Sequence, residues 1–197
     1  MDPLGVSLWL WAVWFVSWEL AAVVTGLSRR TIARPSLLAQ ARHHIPTSIG
    51  AVLLFAGTRP LAGAPIGGPP LWVLPSWAGW AMTSLVTVGL LFTWWARIAL
   101  GTRWSSLVGR KEGHELVASG PYALVRHPFY TGLILAGFAL ALQYGGALNL
   151  IGALIATVGL WLKARLEERF LSQELGSGAY DAYRVRAPML VPFWPKT

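Results

Sequence analysis

The chain contains no cysteine, which excludes a disulfide-stapled secreted scaffold, thiolate metal sites and thiol catalysis. Charge is nearly as scarce. Charged residues make up 12% of the 197 positions against 55% hydrophobic, more apolar surface than one soluble core of this size hides. That balance excludes a water-soluble enzyme or a disordered regulator and identifies an integral membrane protein. Acidic residues are fewest: eight Asp plus Glu stand against sixteen Lys plus Arg, a net charge of +8. The basic residues sit between the apolar segments, with no basic stripe of interleaved reading residues. The excess therefore points to membrane topology and anionic headgroups, with no nucleic acid as partner.

Apolar stretches of about 20 residues mark candidate spans. The first runs from Val6 to Leu27; Asp2 near its start and its length argue against a cleavable signal peptide. A weaker second stretch runs from Ile45 to about Ala62, ahead of a Pro- and Gly-rich segment from Arg59 to Pro75 that forbids a regular helix. The third, Trp77 to Leu100, carries indole rings at both ends, as expected at two interfaces. Phe129 to Leu142 and Ala147 to Leu162 read as a helical hairpin whose cytoplasmic ends continue past the bilayer. The expected fold is thus an all-α integral membrane protein of about five transmembrane helices.

Five crossings place alternate loops on opposite sides. Arg29, Arg30, Arg34, Arg42, Arg97, Arg103, Arg110, Lys111, Arg126, Lys163, Arg165, Arg169, Arg184, Arg186 and Lys196 then share one side, and only Arg59 lies opposite. The rich side is cytoplasmic by the positive-inside rule, so the N-terminus is expected outside and the C-terminus inside. A bacterial inner membrane fits this reading. The polar residues gather on the cytoplasmic side in two blocks, Trp104 to Tyr130 and Lys163 to Trp194.

The first block contains HELVASGPYALVRHPFYTG, from His114 to Gly132. Gly120-Pro121 is a turn signal, Pro128 suits the first turn of a helix, and Gly132 permits a close neighbour. Arg126 and His127 fall at a helix start, where backbone N–H groups favour a carboxylate or phosphate. Arg126 also reads as a snorkelling topology signal, and Tyr122 and Tyr130 as interfacial aromatics. In the second block Trp161, Arg165 and Glu168 stand at spacings of four and three, which predicts one shared helix face. Glu19, an ionisable group within the first span, is expected to pair with an Arg at the interface. His43 and His44 read as interfacial, and the sequence holds no metal site.

The string from His114 to Gly132 resembles the signature of the isoprenylcysteine carboxyl methyltransferase family at every fixed position. The stretch from Ala96 to Ser105 and the block from Glu167 to Phe193 resemble the family's flanking patterns. One departure is the spacing of Gly176 and Tyr180, three intervening residues in place of two, with Leu175 in place of Phe. The likeness begins at Ala96, so residues 1–95 read as N-terminal transmembrane helices and 96–197 as the methyltransferase core, in one structural domain.

This resemblance implies a membrane enzyme using S-adenosyl-L-methionine, with the cofactor pocket formed by the loop before span 4 and the C-terminal segment. A lipophilic acceptor would arrive from the bilayer. On that basis His114, Arg126 and His127 would hold the cofactor carboxylate, and Glu167 or Glu168 its amino group or sulfonium side. Tyr122, Tyr130, Leu116 and Val117 would form the walls, and Gly120, Pro121 and Pro128 would shape the backbone. Arg165 would orient an acceptor carboxylate while Glu168 faces the cofactor. Carboxylate O-methylation is the first expectation, because a carboxylate needs no base; an amine, phenol or thiol would need a glutamate as proton acceptor. Phospholipid amine N-methylation and a non-catalytic membrane assembly protein of the same fold are the alternatives.

Overall fold

The computed structural model describes residues 1–26, 31–33, 35–56, 69–101, 110–111, 117–175 and 177–193. Helix α1, Pro3–Gly26, starts with proline in the first turn, and Asp2 Oδ1 accepts from Gly5 N at 2.6 Å. Helix α2, Leu37–Phe55, is capped by Ser36, whose hydroxyl accepts from Ala39 N at 3.2 Å. It therefore begins eight residues before the apolar stretch expected from Ile45 and ends seven before Ala62. Its first two turns carry Gln40, Arg42, His43 and His44, which hide a helix from a search for apolar runs. Helix α3 spans Ser76–Leu100 and stops at Gly101, whose φ of 54° and N–H to Arg97 O close the last turn.

After a single turn, α4 at Pro121–Leu124, helix α5 covers Pro128–Tyr144 and α6 covers Ala147–Leu175. Gly145, at φ 69°, turns the chain between them. Helix α6 continues well past Leu162, as the hairpin reading expects. Helix α7, Ser177–Arg186, follows. Among the described residues the fold is helical, as expected, with one short antiparallel ladder between connections: β1, Thr31–Ala33, pairs with β2, Arg110–Lys111.

Among the described residues three helices are long and apolar enough to cross a membrane: Pro3–Val24, Ser76–Leu100 and Ala147–Gln173. Helix α5 is a shorter apolar helix, and α2 is interrupted by Pro46. The tightest pairings are α2 with α6 and α3 with α5. Small residues allow both, since a Cβ on Gly50 would strike the backbone of Ala156 and Gly152, and one on Gly89 would strike Gly132 O. Trp14, Trp18 and Phe129 stack through the core, with Trp18 and Phe129 centroids 4.6 Å apart. Two polar groups here are paired across helices: Trp14 Nε1 donates to Thr93 Oγ1 at 2.7 Å and Asn149 Nδ2 to Leu54 O at 2.8 Å. Arg97 is buried with its guanidinium 4.3 Å from the Trp18 ring centroid, within electrostatic reach of Glu19.

Candidate functional site

The strand-like link between α4 and α5 positions the site. Gly120, at φ 60°, and Pro121 start the α4 turn, and Val125 is extended. The backbone N–H groups of Arg126 and His127 then donate to Pro188 O and Met189 O at 2.8 and 3.1 Å. Two consecutive bonds of this kind lay the chain after α7 beside the start of α5. Thr131 Oγ1 adds a bond to Leu190 O at 2.6 Å.

Around this seam four ionisable groups converge from two helix ends. Arg126 Nε donates to Glu168 Oε1 at 2.7 Å, with side chains 2% and 10% exposed, and its Nη1 donates to Ala187 O and Arg184 O. His127 Nε2 lies 3.2 Å from Glu168 Oε1, and its Nδ1 lies 3.4 Å from Glu167 Oε2. Tyr130 donates its hydroxyl to Glu167 Oε1 at 2.7 Å. Burial works against charge on His127, but hydrogen bonds to Glu167 and Glu168 and their negative charges outweigh it and hold the imidazole above its ordinary 6.5.

Aromatics wall the cluster on the α7 side. Tyr180, Tyr183 and Tyr122 are buried together with Ala96 and Ala187, with Val117 and Leu171 packed alongside. Tyr183 donates to Tyr122 O at 2.7 Å. Burial, then the Glu167 charge, pushes the Tyr122 phenol up, and burial does the same for Tyr180 and Tyr183.

Arg126, His127, Pro128, Tyr130, Glu167 and Glu168 are thus brought together, with Gly120, Pro121, Tyr122 and Val117 beside them. His114, Leu116 and Gly176 lie outside the described residues. Two expectations are corrected. Arg126 and His127 do not present an open anion-binding helix start; their N–H groups are taken by carbonyls, and their side chains grip Glu168. Nor does Arg165 enter the cluster beside Glu168. Ala164 and Glu168, four apart, point inward, whereas Trp161, Arg165 and Arg169 are exposed, and the Arg165 guanidinium lies 4.8 Å from the Trp161 ring centroid. Arg165 and Glu168 stand only about 60° apart around the helix, and what separates them is cover: Arg126 and the segment after α7 lie over Glu168, while Arg165 stays outside that cover.

Residues that sequence reasoning missed also stand here. Arg184 Nε is 4.0 Å from Glu168 Oε2, and Lys163 Nζ is 5.5 Å from the Tyr130 ring centroid. Tyr180 and Tyr183 are buried here as well; in the sequence they stand three apart within the block that resembles the family's C-terminal pattern. His43, read as interfacial, is 1% exposed.

A cavity of about 680 Å³ opens among α1, α2, α5 and α6, lined by Trp11, Trp14, Phe55, Leu133, Ile134, Leu160 and other apolar residues. Leu133, Ile134 and Leu160 also share one apolar cluster with Tyr130, which joins the cavity lining to the polar cluster through the Tyr130–Glu167 bond. Phe15 and Val52, on its rim, are 59% and 69% exposed.

A helical membrane protein with a buried carboxylate, imidazole and guanidinium cluster next to an apolar cavity is the class these features define. The family model of the isoprenylcysteine carboxyl methyltransferases matches residues 75–173. The chain belongs to that family, and the enzyme class this sets is methyltransferase. It is 26% identical to a methanethiol S-methyltransferase of a Pseudomonas species, over 90% of this chain and 75% of the relative. It is 30% identical to the protein-S-isoprenylcysteine O-methyltransferase of Schizosaccharomyces pombe, over 51% of this chain and 43% of the relative. A cobalt-zinc-cadmium resistance protein of Cupriavidus metallidurans is 32% identical over 59% of this chain and 53% of the relative. The chain therefore spans about half the length of the latter two.

Proposed function

We propose that the chain transfers a methyl group from S-adenosyl-L-methionine to a lipophilic acceptor that reaches the site from the bilayer, with a carboxylate as the methylated group. The observation that carries this reading is continuity: lining residues of the apolar cavity pack in one cluster with Tyr130, whose hydroxyl bonds Glu167 within the ionic cluster. Such a cavity takes an apolar chain, and the cluster takes charge.

The residues fit the cofactor. It presents an amino-acid carboxylate, an ammonium, a sulfonium and an adenine. Arg184 Nε is buried without a hydrogen-bond partner among the described residues, an unused donor for the carboxylate. Glu168, with Arg126 and His127 behind it, would face the cationic portion, and Tyr122, Tyr180, Tyr183 and Val117 would form the walls. When bound, S-adenosyl-L-methionine supplies an electrophilic methyl group on sulfur. The chain's own part is positioning and exclusion of water, for which α7 and the segment from Ala187 to Leu190 form the cover. An acceptor carboxylate brings no proton to remove. A thiol acceptor would give its proton to Glu167. This second reading is favoured by the methanethiol S-methyltransferase relative, which matches over most of this chain.

Five crossings with the C-terminus cytoplasmic remain our proposed topology. Two contacts support it. The β1–β2 ladder joins the α1–α2 and α3–α4 connections, and Leu71 N donates to Gly145 O at 2.7 Å, joining the α2–α3 connection to the α5–α6 turn. Alternate connections thus meet in two separate groups, as an up-and-down path requires.

Calorimetric titration of S-adenosylhomocysteine into the detergent-purified protein tests the reading, followed by transfer of radiolabelled methyl to dodecanoate and to dodecanethiol. Binding that Glu168→Ala abolishes, with label in the dodecanoate ester, is the expected result. Label only in the thioether would establish the thiol reading, and absence of binding by folded protein would reject methyl transfer.

A further inference from the structure

His43 combines two properties that seldom coincide. Its side chain is 1% exposed, and its Nε2 has no hydrogen-bond partner among the described residues. A buried ring nitrogen left unpaired is costly and calls for a partner. Its location suggests which one. Helices α2 and α6 pack closely, with Gly50 against Gly152 and Ala156, and Thr47 against Gly159. Continuing this seam by one turn in each helix sets His43 opposite Lys163, and the charges of Lys163 and Glu167 both act on its ring.

The same level lies just beyond the lining of the apolar cavity. Thr47 on α2, Leu160 on α6 and Ile134 on α5 line it. Three or four residues further along each helix, toward the ionic cluster, stand His43, Lys163 and Tyr130, so three helices turn polar together. The hydroxyls in the lining are already committed: Thr47 Oγ1 donates to His43 O at 2.7 Å and Thr157 Oγ1 to Ala153 O at 2.8 Å. Trp11 Nε1, also in the lining, has no hydrogen-bond partner among the described residues, but it is a neutral donor, so a charged head finds its counter-charge at the His43 and Lys163 level.

We propose that His43 and Lys163 together recognise the head of the methyl acceptor as a carboxylate, with the alkyl part of the same molecule filling the cavity. This rests on the methyl-transfer reading above. The Nε2–H tautomer of His43 donates to one carboxylate oxygen, and the Lys163 ammonium supplies the opposite charge. Glu167, whose charge reaches the same ring, is already engaged by His127 and Tyr130, whereas a protonated amine head would meet Lys163 as a like charge. His43 is a positioning residue for the acceptor, separate from the Arg126, His127 and Glu168 group.

Trp11 and Trp14 line the cavity, so a brominated chain bound there quenches tryptophan fluorescence without any turnover. The full chain in detergent is titrated with 12-bromododecanoic acid and, at matched partitioning, with 12-bromododecan-1-ol. His43→Phe is expected to weaken the acid about tenfold, the scale of one lost charge-assisted hydrogen bond, and to leave the alcohol within about twofold. His43→Gln, which keeps an N–H donor, is expected to recover part of the acid's affinity. Lys163→Met, an independent variant, is expected to repeat the selective loss. Equal weakening of acid and alcohol would reduce His43 to a packing residue of the α2–α6 seam, and unchanged acid binding in both variants would place the head elsewhere; either result overturns the proposal. Failure of the wild type to bind S-adenosylhomocysteine would defeat the methyl-transfer reading separately, since the quenching does not depend on it.

Discussion

Glu168 holds two cationic or titratable partners with one oxygen, and removing it leaves the Arg126 guanidinium buried without its counter-charge. Breaking a buried pair from one side costs about 3–5 kcal/mol. Glu168→Ala is therefore expected to lower the melting temperature in detergent by on the order of 10 °C, and Glu168→Gln, which still accepts from Arg126 Nε, by less. A circular-dichroism melt of the three proteins checks this, and equal melting would mean that the pair contributes nothing. His127 adds a pH dependence. Its pKa is raised in the folded protein, so the stabilisation is fully present below the unfolded value of about 6.5 and is lost as pH rises through the higher folded value. Melting temperature should fall over that window in the wild type and lose that fall in His127→Gln. At this scale the sequence was partly legible. The motif located Arg126, His127, Tyr130, Glu167 and Glu168, whose residue types and order are distinctive. Lys163, Arg184 and His43 carry no local pattern, because each acquires its surroundings from a different helix. Arg165 was misplaced by extending a helical spacing without knowing which side of α6 is covered.

Helices are specified by their ends and by what lies against them. Hydropathy marks α1, α3 and α6 because each is apolar for its whole crossing length, whereas the start of α2 is written in a Ser36 cap and polar first turns. The close approach of α2 and α6 has a sharper signature after the fact than before it: the glycines are visible in the sequence, but their partners are not. Gly152→Val would drive a side chain into Gly50 O and the Leu53–Leu54 backbone. Overpacking of this kind costs about 1–3 kcal/mol or more, and here it would also disturb the seam that carries His43. The expected result is lower melting and weaker binding of 12-bromododecanoic acid and its alcohol alike. Gly178→Ala meets nothing within 4 Å and is expected to change neither, so a loss in both variants alike would contradict the packing account.

For the whole molecule, the distribution of basic residues and the two groups of joined connections agree on an up-and-down path. A reporter fused after Thr197 is expected to be active in the cytoplasm, and one inserted near Arg59 outside it; the reverse pattern would overturn the orientation. The grouping of polar chemistry at one end was legible from where the charged residues fall between the apolar segments, since the expense of burying charge in lipid keeps it out of the spans. The cavity was not, because its lining of Leu, Ile, Trp and Ala residues is chemically the same as the lipid-facing surface. The cover over the cluster has a consequence in time. Arg126 is bonded to Ala187, 61 residues later in the chain, and at about 5–20 residues per second a ribosome needs roughly 3–12 s to supply that partner. During biosynthesis Arg126 and Glu168 therefore wait, solvated, while the preceding helices insert, and the enzyme becomes competent only when translation has passed Leu190 and the last segment folds back over its own beginning.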